Sequence, residues 1–133
     1  MKKQRRKKFN KYKHRDKESL IAKEFSLTEQ DRITYSYKID DRGKYLEVTN
    51  TSYEARVENQ WITIVRYDSS HGYLHRHTRI SLSNETEITS TDRVVKRGDH
   101  HNWLTWAIKD LRANFVDYRR LFFKRSKTID NYY

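Results

Sequence analysis

Histidine is the side chain best suited to proton transfer near neutral pH, and five of the six histidines of this chain fall into two clusters. The clusters are His71, His75 and His77, and the adjacent pair His100 and His101. Alternate residues of a strand point to one face, so His75 and His77 are expected to share a face. A hairpin would bring Arg66 and Asp68, which precede the first cluster, beside these imidazoles.

Three interpretations of the first cluster remain open. A metal-independent ribonuclease would use two imidazoles as base and acid and an arginine to stabilise the phosphorane. A metal site would combine the imidazoles with Asp68 or Asp99. In the third interpretation these side chains form a structural polar face, or contact RNA without cleaving it, and they neither catalyse a reaction nor bind a metal. The predicted catalytic set is His71, His75, His77, Arg66, Arg76 and Asp68. No metal ligand and no cofactor is assigned.

The run VRYDSSHGYLHRH, residues 65–77, resembles the small prokaryotic toxin family of the TumE type. In that family an arginine, an aspartate and several histidines follow a central strand. The matching positions are Arg66, Asp68, His71, His75 and His77. The resemblance implies a toxin–antitoxin ribonuclease that acts through these side chains.

Residues 1–17 form a basic arm that carries most of the net charge of the chain. The arm has ten basic residues and one acidic residue, or +9 of the total +11, and Phe9 and Tyr12 lie among them. Dense like charges favour disorder, and cations with spaced rings suit phosphates and bases. The predicted nucleic-acid contacts in the arm are Lys2, Lys3, Arg5, Arg6, Lys7, Lys8, Lys11, Lys13 and Arg15, and a second basic patch comprises Arg119, Arg120, Lys124 and Arg125.

Composition excludes several other classes of protein. The chain has no cysteine, which excludes disulfides, thiolate metal sites and cysteine nucleophiles and fits a reducing cytoplasm. It has no run of about 18 apolar residues, so we expect no membrane span. With three glycines it lacks a phosphate-binding glycine loop.

Hydrophobic periodicity predicts the elements that must position these residues. Residues 32–39 alternate with period two, which indicates a half-buried strand, and residues 99–127 carry apolar positions at helical spacing. Further strands are predicted at 44–50, 53–57, 61–67, 73–82 and 85–89, and a short helix at 17–30. We predict an α+β fold, an antiparallel sheet of about 4–6 strands with a C-terminal amphipathic helix on one face.

Three segments follow from this pattern: a disordered arm at 1–17, one α+β domain at 18–127 and a flexible tail at 128–133. The function expected first is binding of nucleic acid, RNA more than DNA, anchored electrostatically by the arm. A ribonuclease is the alternative, and a structural or assembly component, such as a ribosome-associated or viral protein, is a third class.

Overall fold

The computed structural model describes residues 17–70, 72–81, 88–94 and 99–130. Six strands form one antiparallel sheet in which each strand pairs with its neighbours in sequence. One long helix follows the strands. The elements are β1 (Ser19–Thr28), β2 (Asp31–Ile39), β3 (Tyr45–Val57), β4 (Gln60–Asp68), β5 (Leu74–Ser81), β6 (Ile88–Val94) and α1 (His100–Asp130). The predicted α+β class is confirmed.

The turns joining β2 to β3 and β3 to β4 have local causes. Asp40 accepts hydrogen bonds from the backbone N–H groups of Arg42 and Lys44, and these bonds lower the pKa of its carboxyl group. Gly43 has a φ of 82°, which a residue with a side chain rarely adopts. Between β3 and β4, Glu58 and Asn59 both have positive φ, as a two-residue hairpin loop requires.

The predicted helix at 17–30 is wrong, because these residues form the edge strand β1. This strand pairs with β2 from Ser19, opposite Ile39, onward. Ile21, Phe25 and Leu27 are half-buried and the other residues of β1 are exposed. Lys23 interrupts the apolar alternation of this strand. Ile21 and Phe25 are therefore four residues apart, which is a helical spacing. Pairing with β2 therefore overrides the local pattern.

Two other strand boundaries differ from the prediction. Segments 44–50 and 53–57 are one continuous strand, β3, which the sequence pattern divides at Thr51 and Ser52 because both are polar, although both are buried in the strand. Strand β6 begins at Ile88 and ends at Val94, later than the predicted 85–89, and residues 82–87 lie outside the described residues.

Helix α1 begins where the sequence predicts. The Asp99 carboxylate accepts a hydrogen bond of 3.0 Å from the backbone N–H of Asn102, which is an N-cap. The helix continues to Asp130 and so includes 128–130, which we assigned to the tail; 131–133 lie outside the described residues. Over the described part of the chain, no helix has the length and apolar character needed to span a bilayer.

The sheet has a helix face, covered by α1, and an open face on the other side. Helix α1 lies across β3, β4 and β5 and contacts β2 only slightly. Leu104, Ala107, Leu111 and Phe122 of α1 are buried. They lie over buried strand residues, which include Ile33, Tyr53, Val65 and Tyr67. Residues one position along each strand, such as Arg66, therefore project from the open face.

Candidate functional site

The β4–β5 hairpin brings most of the predicted catalytic residues together on the open face. Arg66 lies opposite His77 and Asp68 lies opposite His75 in the strand register. The connecting loop turns at Gly72, whose φ is 84°, and its start is fixed by a 2.8 Å hydrogen bond from the Ser69 N–H to the Val48 carbonyl. His71 lies outside the described residues.

Asp68 is the centre of the contacts at this site. Its Oδ2 lies 3.1 Å from His77 Nε2 and accepts a 3.2 Å hydrogen bond from Arg66 Nη1. Its Oδ1 accepts a 3.1 Å hydrogen bond from the Ser70 hydroxyl. The exposed fraction of the side chain is 10% for Asp68, 24% for His77 and 42% for Arg66. The carboxylate therefore fixes the orientation of an imidazole and a guanidinium at the surface.

The second imidazole of the site belongs to His75. Its ring centroid lies 6.2 Å from that of His77, with 24° between the planes, and 4.1 Å from that of Tyr73. Two imidazoles at this spacing can serve as proton donor and proton acceptor on opposite sides of one small group such as a phosphate. The positions agree with the sequence interpretation, and the catalytic role stays a prediction.

Arg76 does not belong to this group, which corrects the expectation that it could stabilise charge beside the imidazoles. It lies between His75 and His77 in sequence, so its side chain projects to the helix face. Arg76 is paired with Tyr67 in the strand register, and the Arg76 side chain counteracts part of the rise in the pKa of the Tyr67 phenol. Arg66 is therefore the arginine near the two imidazoles.

Asp110 of α1 gathers a second polar cluster, which sequence reasoning missed. Its Oδ2 accepts hydrogen bonds from the hydroxyls of Tyr67 at 2.5 Å and Tyr118 at 2.6 Å, and its Oδ1 accepts one from Asn114 at 2.9 Å. Burial, and then the bond to Asp110, raises the pKa of both phenols. The cluster fastens α1 to β4. Forty-three residues separate Asp110 from Tyr67, so no local sequence signal reveals it.

The second histidine pair contacts the β4–β5 loop and strand β3 at the start of α1. His100 Nδ1 lies 3.1 Å from the buried Ser69 hydroxyl. The His101 ring packs edge-on against the Tyr45 ring, with 4.7 Å between the ring centroids. Within the described ranges, no three histidine, aspartate or glutamate side chains are grouped closely enough to hold a metal ion.

The four residues of the predicted basic patch on α1 lie in different environments. Arg119 Nη1 lies 3.2 Å from Oδ2 of Asp31, whose side chain is 3% exposed. Arg120 is 74% exposed and lies 3.6 Å from Asp117. Lys124 is exposed and Arg125 is half-buried. Arg119 therefore holds the helix to the sheet instead of facing solvent freely, and residues 1–16 of the arm lie outside the described residues.

Comparison with known proteins identifies a family for this chain. The model of a family described as a domain of unknown function, DUF7718, matches residues 14–128. This match spans all six strands and almost all of α1. No curated protein and no solved structure matches the chain. The resemblance to TumE-type toxins stays a prediction.

Proposed function

The chain belongs to the DUF7718 family, a domain of unknown function, and we propose that this protein binds nucleic acid, RNA in preference to DNA, through its basic N-terminal arm. The observation that carries the proposal is the charge of residues 1–17, which is +9, against +2 for the rest of the chain. When cations of this density contact phosphates, they release the counterions that are condensed on the nucleic acid, which favours binding. Phe9 and Tyr12 add rings on which unpaired bases can stack.

The ion pairs of the folded part support the arm as the anchor. Arg32 contacts Glu24 and Glu54, and Arg66 contacts Asp68. On α1, Arg119 contacts Asp31 and Arg120 contacts Asp117. A guanidinium with a carboxylate partner attracts a polyanion less than one without, because the two charges largely cancel at a distance. The arm therefore supplies most of the electrostatic affinity.

The test is the salt dependence of RNA binding, measured by fluorescence anisotropy. If about five arm cations contact phosphates, the slope of log affinity against log salt is roughly −3.5 to −4.5. A chain that begins at residue 18 should lose most of that slope. A full-length variant with the arm cations changed to glutamine controls for chain length. Affinity and slope that survive both changes would contradict the proposal.

The location that fits this proposal is the cytoplasm, because a chain without cysteine forms no disulfide and therefore does not need an oxidising compartment. Cell fractionation with an antibody against the full chain tests the placement. Recovery in a membrane or extracellular fraction would contradict it.

A second candidate function is metal-independent RNA cleavage, which the contact of Asp68 with both His77 and Arg66 favours. One imidazole would take the proton of the 2′-hydroxyl as its oxygen attacks phosphorus, and the other would protonate the departing 5′-oxygen. The products would be a 2′,3′-cyclic phosphate and a 5′-hydroxyl. Arg66 would stabilise the charge on the phosphorane, and Asp68 would hold the ring of His77 in place.

Incubation of labelled RNA with the protein in EDTA tests this candidate. His75→Ala and His77→Ala should each abolish the cyclic-phosphate product. His101→Phe is the matched control, because it removes an imidazole that is not among the hydrogen-bond partners of Asp68 in the described part of the chain and keeps a ring packed against Tyr45. Cleavage that is absent in the wild type, or that persists in both site variants, removes this candidate.

A further inference from the structure

Three tyrosines form a row of nearly parallel rings on the helix face of the sheet, beside α1. The Tyr35 and Tyr37 ring centroids are 6.4 Å apart with 8° between the planes. The Tyr37 and Tyr45 centroids are 4.5 Å apart with 9° between the planes. All three side chains are half-buried. We call this row, Tyr35, Tyr37 and Tyr45, the tyrosine strip.

Tyr35 and Tyr37 remain accessible because α1 crosses β3, β4 and β5 and leaves most of β1 and β2 uncovered, whereas Tyr45 of β3 packs against His101 at the start of α1. Lys23 of β1 is paired with Tyr35 and therefore lies on the same face. The Arg112 guanidinium lies 4.8 Å from the centre of the Phe25 ring, next along that face. Two exposed cations, one from β1 and one from α1, thus lie near the Tyr35 end of the row, since Phe25 contacts Tyr35.

Charge distinguishes this surface from the open face. Lys23 and Arg112 are exposed, and neither forms an ion pair with another described residue. Asp31, which lies beneath α1, is buried and paired with Arg119. On the open face, by contrast, arginines lie beside carboxylates, as in the pair of Arg66 with Asp68.

We propose that the tyrosine strip is the surface of the folded domain that takes the bases of a single-stranded RNA, with Lys23 and Arg112 on its phosphates. This inference rests on the proposed function and deepens it by naming the contact surface. Aromatic rings bordered by cations are the chemistry that binds unpaired nucleotides. The arm ends at residue 17, two residues before β1 begins at Ser19, and Ser19 lies opposite Ile39, two residues from Tyr37. One RNA strand can therefore contact the arm and the strip together.

Binding of a fluorescent oligouridylate to full-length variants tests the strip. Tyr37→Leu keeps apolar bulk but removes the ring, and it should weaken binding at least about fivefold, which is the lower end for loss of one base stack. Tyr37→Phe keeps the ring and should bind like the wild type. Arg112→Gln should reduce the salt slope by about 0.7. Arg56→Gln is the matched control, an exposed arginine on the open face.

Circular dichroism of each variant confirms that the fold is kept. Ultraviolet crosslinking of the same oligouridylate, with the modified peptides identified by mass spectrometry, gives a readout independent of affinity. The expected crosslinks are to Tyr35, Tyr37 or Tyr45. Polyglutamate serves as a polyanion without bases, and its binding should be unchanged by Tyr37→Leu.

The outcomes separate the inference from the proposed function. If the wild type binds oligouridylate but Tyr37→Leu and Arg112→Gln bind equally well, the strip is overturned and the arm-based function stands. An equal loss of polyglutamate binding in Tyr37→Leu, or crosslinks confined to the open face near Trp61, would also overturn the strip. If the wild type does not bind oligouridylate at any salt concentration, the proposed function fails and the strip fails with it.

Discussion

Arg119 and Arg120 are neighbours in sequence, yet the structure predicts opposite consequences for their substitution. Asp31 accepts hydrogen bonds from the hydroxyls of Thr28 and Tyr53, each at 2.5 Å, and forms the ion pair with Arg119. Removing one partner of a buried pair costs about 3–5 kcal/mol, and because Arg119 is 36% exposed we reduce that figure to about 2–3 kcal/mol for Arg119→Gln. Arg120→Gln should change the free energy of unfolding by less than about 0.5 kcal/mol.

Urea denaturation followed by tryptophan fluorescence measures both variants. For a domain of about 100 residues, a loss of 2–3 kcal/mol lowers the melting temperature by roughly 8–24 °C. RNA binding provides the complementary readout: both variants should keep the wild-type salt slope, because each guanidinium is paired with a carboxylate. An Arg119→Gln variant that is as stable as the wild type would refute the structural assignment of Arg119.

Two further predictions concern stability. The pKa values of Tyr53, Tyr67 and Tyr118 are raised by burial, so the unfolded chain loses these protons first as pH rises. The phenols should therefore not change the free energy of unfolding below about pH 10, and above it they should lower it by up to about 1.4 kcal/mol per pH unit for each phenol, which pH-dependent urea titrations check. Tyr67→Phe should make the fall shallower, and an unchanged slope would contradict the burial argument. The buried hydroxyl of Ser69 contacts Val48 and the start of α1, so Ser69→Ala should cost about 1–3 kcal/mol in thermal unfolding, and a neutral result would show that this contact contributes little.

Local patterns were sufficient for much of the fold. Strict alternation over 32–39 located β2, and Asp99 followed by apolar residues at helical spacing located the start of α1. The strand β1 was missed because its hydrophobic residues are few and Lys23 occupies a position on the apolar side. An edge strand with one partner needs little apolar surface, so its sequence pattern is weak.

The candidate site was predictable only where it depends on strand parity and a short hairpin. The sequence placed His75, His77, Arg66 and Asp68 together, and the register agrees. Side chains alternate between the two faces along a strand, and this alternation excludes Arg76 from the group, although sequence reasoning retained it for its charge. The bonds that join Asp110 to Tyr67 and Arg119 to Asp31 depend on where α1 lies across the sheet. Contacts between residues 43 and 88 positions apart leave no periodic signal in the chain.

The most direct test of the central claim, that the arm holds this protein on RNA, is crosslinking in cells followed by sequencing of the bound nucleic acid. The full chain and a full-length variant with the cations of residues 1–17 changed to glutamine are compared at equal expression. We predict that the full chain recovers RNA in excess of DNA and that the neutralised variant recovers little of either. Equal recovery by the two proteins, or no nucleic acid above the sample without crosslinking, would contradict the claim.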